Sequence, residues 1–230
     1  MDRGRICVSV SGANAELLAK TVQASNDLVD VVEIRLDTMT MPNVEQCLQL
    51  AALPLLFTNR PVWEGGAFSG SEEERLQPLL QAVNLRAAYV DFELRADQSL
   101  REQLLVARHH SSTRLILSWH DFRKTPPTEE LIELVLQMRA AGADMGKIVT
   151  TAKSTGDVLR VLSLLREAEE IGFPLSAFCM GEIGRISRFA TLYLGGEMTY
   201  VAVSEEQATA PGQLSAGRMN TLCNLFSHDH

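Results

Sequence analysis

No stretch of the 230-residue chain approaches the 18 uninterrupted apolar residues of a membrane-spanning helix. Basic residues are also in short supply. Against 29 Asp and Glu stand 21 Lys and Arg, a formal net charge of −8, which argues against a surface built for nucleic acid or for an anionic membrane. The same deficit means that an anionic substrate needs cations gathered locally. The four cysteines, Cys7, Cys47, Cys179 and Cys223, include no Cys-x-x-Cys pair, and no His/Cys/Asp/Glu cluster has metal-ligand spacing. Cys7 and Cys179 fall in strand-like runs, as reduced, buried thiols of a cytosolic protein do. The first residues, Met1-Asp2-Arg3-Gly4-Arg5, lead straight into Ile6-Cys7-Val8-Ser9-Val10 without signal-peptide anatomy, so a cytoplasmic protein is expected. No G-x-G-x-x-G follows an early strand, and no linker, low-complexity tract or fixed-period repeat divides the chain.

What remains has the composition of an ordinary globular protein, with 46% apolar and 22% charged residues, and its pattern is regular. Strand-like runs occupy Arg5–Val10, Val31–Leu36, Pro54–Thr58, Ala88–Glu93, Arg114–Ser118, Gly146–Thr150, Pro174–Cys179 and Met198–Val203. Helix-like stretches follow at Asn14–Ser25, Val44–Ala52, Glu72–Leu85, Leu100–His110, Thr128–Ala141, Gly156–Ile171, Ile183–Leu194 and Ser215–Leu225. Leu131, Val135, Met138 and Ala141 recur at steps of four and three, the apolar stripe of an amphipathic helix. Ser71 before three glutamates and Thr128 before Glu129-Glu130 read as N-caps. Eight β–α alternations require a parallel sheet with covering helices. In 230 residues they predict a closed (β/α)8 TIM barrel, a single domain over residues 1–230, with an open doubly wound sheet as the alternative.

The run Asp144-Met145-Gly146-Lys147-Ile148-Val149-Thr150 holds one lysine inside a short apolar strand. Strand alternation puts Met145, Lys147 and Val149 on one face. Burial disfavours an ammonium and turns such a lysine into a usable nucleophile; the alternative is a strand-end lysine that snorkels its charge to water. Polar residues gather at the carboxyl ends of the other strands, where barrel active sites lie. They are Glu33, Arg35 and Asp37 on the second strand, Arg60 and Glu64 after the third, Asp91 and Glu93 on the fourth, and His120 after the fifth. Arg185 and Arg188 follow the seventh, and a loop from Gln207 to Gln213 follows the eighth. Singly, each has a structural reading: an internal Glu33–Arg35 ion pair, a satisfied strand-end histidine, a solvated arginine, a plain connector. Together at one rim they point to a site.

With these residues assembled, the chain resembles the type I 3-dehydroquinate dehydratases, the Schiff-base enzymes of the shikimate pathway. The likeness runs from Ser9 to Gln213. It is carried by Glu33-Ile34-Arg35-Leu36-Asp37, Arg60 with Glu64-Gly65-Gly66, Ser118-Trp119-His120-Asp121-Phe122, Gly146-Lys147-Ile148, Gly184-Arg185-Ile186-Ser187-Arg188 and Ala210-Pro211-Gly212-Gln213. The resemblance implies that Lys147 forms an imine with the ketone of 3-dehydroquinate and that His120 is the general base and acid, tuned by Glu64. It implies that Arg188 binds the substrate carboxylate, that Glu33, Arg35 and Arg60 arrange the hydroxyl side, that Ser9 also binds substrate, and that Gln213 closes over the substrate. Thr209 stands where the family usually has serine, keeping the hydroxyl and adding a methyl. No metal or organic cofactor is then needed, because the imine is itself the electron sink. The family suggests a homodimer, and an end at His230 just after the last helix fits a stand-alone enzyme. A Schiff-base aldolase on the same barrel is the enzymatic rival, and an inactive barrel used as a binding scaffold the non-enzymatic one.

Overall fold

The computed structural model describes residues 3–207, 210 and 212–226. Eight strands, β1 Arg5–Val10, β2 Val31–Arg35, β3 Leu55–Thr58, β4 Tyr89–Glu93, β5 Arg114–His120, β6 Met145–Thr151, β7 Leu175–Met180 and β8 Met198–Val201, alternate with eight helices. The helices are α1 Ala15–Ser25, α2 Val44–Cys47, α3 Glu72–Asn84, α4 Gln98–Arg108, α5 Thr128–Ala140, α6 Thr155–Glu170, α7 Arg185–Tyr193 and α8 Ala216–Phe226. The strands form one parallel sheet in the order β7-β6-β5-β4-β3-β2-β1-β8. Between its ends the Glu197 N–H donates to Leu175 O at 2.9 Å, bringing the sheet round on itself. This is the (β/α)8 barrel that the alternation predicts.

Because strand side chains alternate, each strand feeds two cores. Inside the barrel, Cys7, Val31, Leu56, Tyr89, Ile116, Met145, Val149, Phe178, Met180, Met198 and Tyr200 form one cluster drawn from all eight strands. The opposite faces, among them Ile34, Phe57, Phe92, Leu117 and Ile148, pack with helical residues such as Leu18, Leu79, Leu131 and Val161 in the outer core. The α5 stripe behaves as its spacing requires: Leu131, Val135 and Met138 are buried, each burial stabilising by roughly 1.5–3 kcal/mol. Gly146 faces this layer. A Cβ there would lie 2.9 Å from Leu175 and Phe173 and 3.0 Å from Met138, so glycine lets the outer core close tightly behind Lys147. The four cysteines are free and buried.

Three local features differ from the sequence reading. The helix expected over 44–52 is a single turn, α2, continued by the turn bonds Gln49 N–H to Gln46 O and Leu50 N–H to Cys47 O. Pro54 follows closely, and a proline pushes its predecessor out of the helical region. The N-cap of α5 is Pro127, with Thr128 already in the helix. The Ser71 cap holds and is a full capping box with Glu74, as is an unanticipated one between Ser154 and Asp157. Finally, β5 runs two residues further than expected, so His120 is a strand residue fixed in the barrel wall rather than a loop residue.

Candidate active site

At the carboxyl end of the barrel a cavity of about 540 Å³ is lined by Ser9, Glu33, Arg35, Arg60, Glu64, His120, Lys147, Arg188 and Gln213, with Val149, Phe178, Met180 and Tyr200 among its apolar walls. Every predicted site residue is there except Thr209, which lies outside the described residues. Lys147 points inward with Met145 and Val149 and is 5% exposed. Its nearest charged neighbours are carboxylates. The Nζ atom lies 3.3 Å from Asp91 Oδ2 and 3.9 Å from Glu33 Oε1, and 3.6 Å from the centroid of the Tyr200 ring. The resting amine therefore belongs to an ion-pair cluster.

Behind Asp91 is a buried network. Arg60 forms an ion pair with Asp91 Oδ1 at 2.9 Å and donates to Glu93 Oε1 at 2.6 Å, and the Ser118 hydroxyl donates to Asp91 Oδ1 at 2.6 Å. Arg75, wholly buried on α3, holds the other oxygen of Glu93. Burial alone raises a carboxyl pKa, but for Asp91 the charges of Arg60 and Lys147 and the Ser118 bond outweigh it, bringing it down to about 2. Glu93, with burial dominant and Asp91 and Glu64 as like charges, is pushed up to about 7. Thus Arg60 is anchored from behind while its position at the cavity wall is kept.

The internal Glu33–Arg35 ion pair, the structural alternative for these two charges, is not what forms. Residues Leu36–Thr38 make a turn of 3-10 helix, so Asp37 leaves the strand alternation and curls back. It accepts from Arg35 Nε at 2.8 Å and Nη2 at 2.7 Å, and from the N–H groups of Arg60 at 3.2 Å and Ala67 at 3.0 Å. Glu33 instead accepts the Thr58 hydroxyl at 2.7 Å and faces Lys147. The strand face of three charges is resolved by turning one of them into a clamp for the two guanidinium-bearing segments.

His120 Nδ1 lies 3.1 Å from Glu64 Oε1, the oxygen that also accepts the His120 backbone N–H at 3.0 Å. With Glu64 ionised, Nδ1 carries the proton and donates it, which leaves the Nε2 lone pair free to act as base. Burial, then the charges of Arg60 and Lys147, hold the imidazole well below its ordinary pKa, so it is neutral at pH 7. Glu64 is buried on the 3-10 turn Val62–Glu64, which ends at Gly65 with φ 76°. A Cβ on Gly65 would come within 2.3 Å of Phe122, whose ring stacks on His120 at 6.0 Å between centroids. Arg188, 1% exposed, has Nη1 3.5 Å from Tyr200 O and its Cζ 4.8 Å from the Phe178 ring centroid. Burial lowers its pKa to about 10, the signature of a cation kept out of water.

This arrangement, an enclosed amine beside a neutral histidine with a buried guanidinium across the cavity, can be compared with known proteins. The family model for type I 3-dehydroquinase matches residues 6–230. The chain belongs to the type I 3-dehydroquinase family. As a type I 3-dehydroquinase it is a hydro-lyase. The 3-dehydroquinate dehydratase of Desulfotalea psychrophila is 42% identical to it over 224 residues, covering 96% of this chain and 98% of that one. The 3-dehydroquinate dehydratase of Methanocaldococcus jannaschii is 32% identical, with 96% and 98% covered. Among solved structures, the type I 3-dehydroquinate dehydratase of Clostridium difficile, with covalently modified comenic acid, superposes with a TM-score of 0.88 at 28% identity, covering 98% of this chain and 93% of that one.

The structure of this 3-dehydroquinase also assigns places to residues that sequence reasoning leaves without a role. Asp91 and Glu93 are legible as charges alternating within an apolar strand, but only the fold shows Asp91 facing Lys147. Arg95 carries no such signal. It donates from Nε at 3.1 Å and Nη2 at 2.9 Å to Glu64 Oε2, and from Nη2 to His120 O at 3.1 Å, locking the dyad from outside. Glu64 already has a raised pKa, from burial first, with Arg60 and Arg95 pulling it down. An Arg95→Met variant removes one of these cations and should raise it further. If ionised Glu64 supports the base form of His120, the acid limb of the kcat/KM profile, which reports the free enzyme, moves to higher pH. A limb unmoved by the substitution contradicts that role.

Proposed function

We propose that the chain, as one catalytic domain over residues 1–230, is a 3-dehydroquinate dehydratase of the shikimate pathway that works through an imine on Lys147. The observation that carries the reading is the Lys147 amine, buried in the same cavity as a His120 base whose proton is fixed on the far side by Glu64. In its neutral form the amine attacks the C3 ketone carbon, the carbinolamine loses water, and a cationic imine results. His120 then takes a proton from C2 and the imine nitrogen accepts the electron pair. The pair returns to expel the C1 hydroxyl, which takes a proton and leaves as water. Hydrolysis of the product imine releases 3-dehydroshikimate and the free amine. The imine supplies the electron sink, so this sequence calls for no metal or organic cofactor.

The substrate is a small carboxylate, and the cations gathered at the cavity suit it to a chain of net charge −8. In this reading Arg188 binds the carboxylate, whose charge offsets the desolvation of the guanidinium. Ser9, Glu33, Arg35 and Arg60 face the hydroxyl groups, while Gln213, buried in the lining of the same cavity, and Thr209 complete the cover. Adding 3-dehydroquinate to the protein should generate the ultraviolet absorbance of a conjugated enone acid. No absorbance change at catalytic protein concentrations overturns the assignment. Arg188→Ala should raise KM and lower kcat together, because a carboxylate clamp also positions the reacting carbon. The expected loss in kcat/KM is about 2–5 kcal/mol, as for truncating half of a desolvated charge pair. Steady-state kinetics decide it, and an unchanged KM removes Arg188 from the site.

A further inference from the structure

Tyr200 sits on β8 with Met198 in the barrel-interior cluster, 4% exposed. Its backbone pairs with Cys7 of β1, and on the β7 side the Phe178 ring lies 5.9 Å away, tilted by 42°. The Lys147 nitrogen is 3.6 Å from the Tyr200 ring centroid, well inside the ~6 Å over which a ring face attracts a cation. Arg188 Cζ in turn is 4.8 Å from the Phe178 ring centroid. Each of the two buried cations therefore lies over one ring of this aromatic pair. The Tyr200 hydroxyl has no hydrogen-bond partner among the described residues. Burial drives its pKa well upward, so the side chain is a neutral phenol, and what it presents to Lys147 is the ring face.

We propose that Tyr200 is a catalytic residue whose ring face holds the positive charge on the Lys147 nitrogen through the imine stage. The inference rests on the imine reading of Lys147 given above. In the carbinolamine the nitrogen is neutral. When the C–O bond breaks, the nitrogen lone pair becomes the second bond of C=N, the departing oxygen takes a proton and leaves as water, and the nitrogen becomes cationic. An ammonium carries three N–H donors and the protonated imine only one. The hydrogen bonds that Asp91 and Glu33 can take therefore shrink as the reaction proceeds. The attraction of a ring quadrupole depends on charge and distance rather than on the number of N–H groups, so it persists when those bonds are lost. It also favours the cationic imine over its neutral, deprotonated form.

The test is borohydride trapping with 3-dehydroshikimate as probe, followed across pH by intact mass. Only the cationic imine is reduced readily, so labelling falls on the alkaline side as that cation loses its proton. The other charged or titratable groups around the nitrogen are Asp91 and Glu33, Arg60 behind Asp91, His120 on β5 and Cys7 on β1, and all stay in place when residue 200 alone is changed. Tyr200→Phe is the reference, compared with forms carrying one, two and three ring fluorines, which drain the ring quadrupole while nearly preserving its shape. The alkaline limb should step to lower pH with each fluorine, with labelling roughly tenfold weaker at the reference midpoint by the third. A limb at the same pH in all four forms, with Lys147 labelled normally, overturns the role of the ring alone. Absence of any Lys147 adduct in the unsubstituted protein at every pH overturns the imine reading itself.

Discussion

Lys147→Ala should reduce turnover to background and leave no lysine able to form a reducible adduct. Among the described residues Lys147 carries the only amine in the cavity lining, and in the proposed mechanism its loss removes both the ketone activation and the electron sink for the C2 carbanion. Lys153, the nearest lysine in sequence, is exposed beyond the end of β6, ahead of α6, and is not part of the cavity lining. The loss should therefore exceed that of any acid–base residue, and added histidine base has nothing to act on. Folding should survive, since Lys147 lines an open cavity and is not a member of either apolar cluster. Its removal does leave Asp91 with Arg60 and Ser118 as partners. Circular dichroism with an activity assay checks both halves, and measurable turnover by a folded Lys147→Ala protein contradicts the mechanism.

His120→Ala should behave differently. It removes proton transfer, worth roughly 10²–10⁴-fold per step, while the nucleophile stays. If the imidazole also assists collapse of the carbinolamine, the loss in kcat exceeds that single-step range. The variant should still form a trappable Lys147 adduct, slowly, while making little product. Single-turnover kinetics with quenching in borohydride separates the two effects. A variant that loses adduct formation and product in equal proportion points to a His120 role confined to imine formation. The resting geometry fits a base that needs no priming: the imidazole is already neutral, and Glu64 and Arg95 fix its orientation.

How much of this is legible in the sequence follows from how local each feature is. The barrel is, because strand and helix periods are local and the eightfold alternation leaves few architectures open. Lys147, Glu33 and Arg35 are, because a charge inside an apolar strand shows its abnormality within five residues. What the chain hides are the partners. Asp37 looks like a third charge on one strand face until the turn Leu36–Thr38 carries it back to Arg35. Asp91 meets Lys147 across 56 residues of sequence, and no local pattern encodes that distance. Arg95 and Tyr200 are invisible for a related reason. An exposed arginine and a strand tyrosine are what any barrel contains, and only closure of the sheet brings one to Glu64 and the other to Lys147. The short α2 is a different case, in which Pro54 and the preceding alanines mimic a helix end later than the real one.

Reductive trapping with peptide mapping tests the central claim most directly. The protein, incubated with 3-dehydroquinate and then with borohydride, should gain the mass of one reduced ligand on a single peptide, with the modified residue Lys147. Activity should fall in step with labelling. A label on any other lysine, or full turnover with no label at all, contradicts the account.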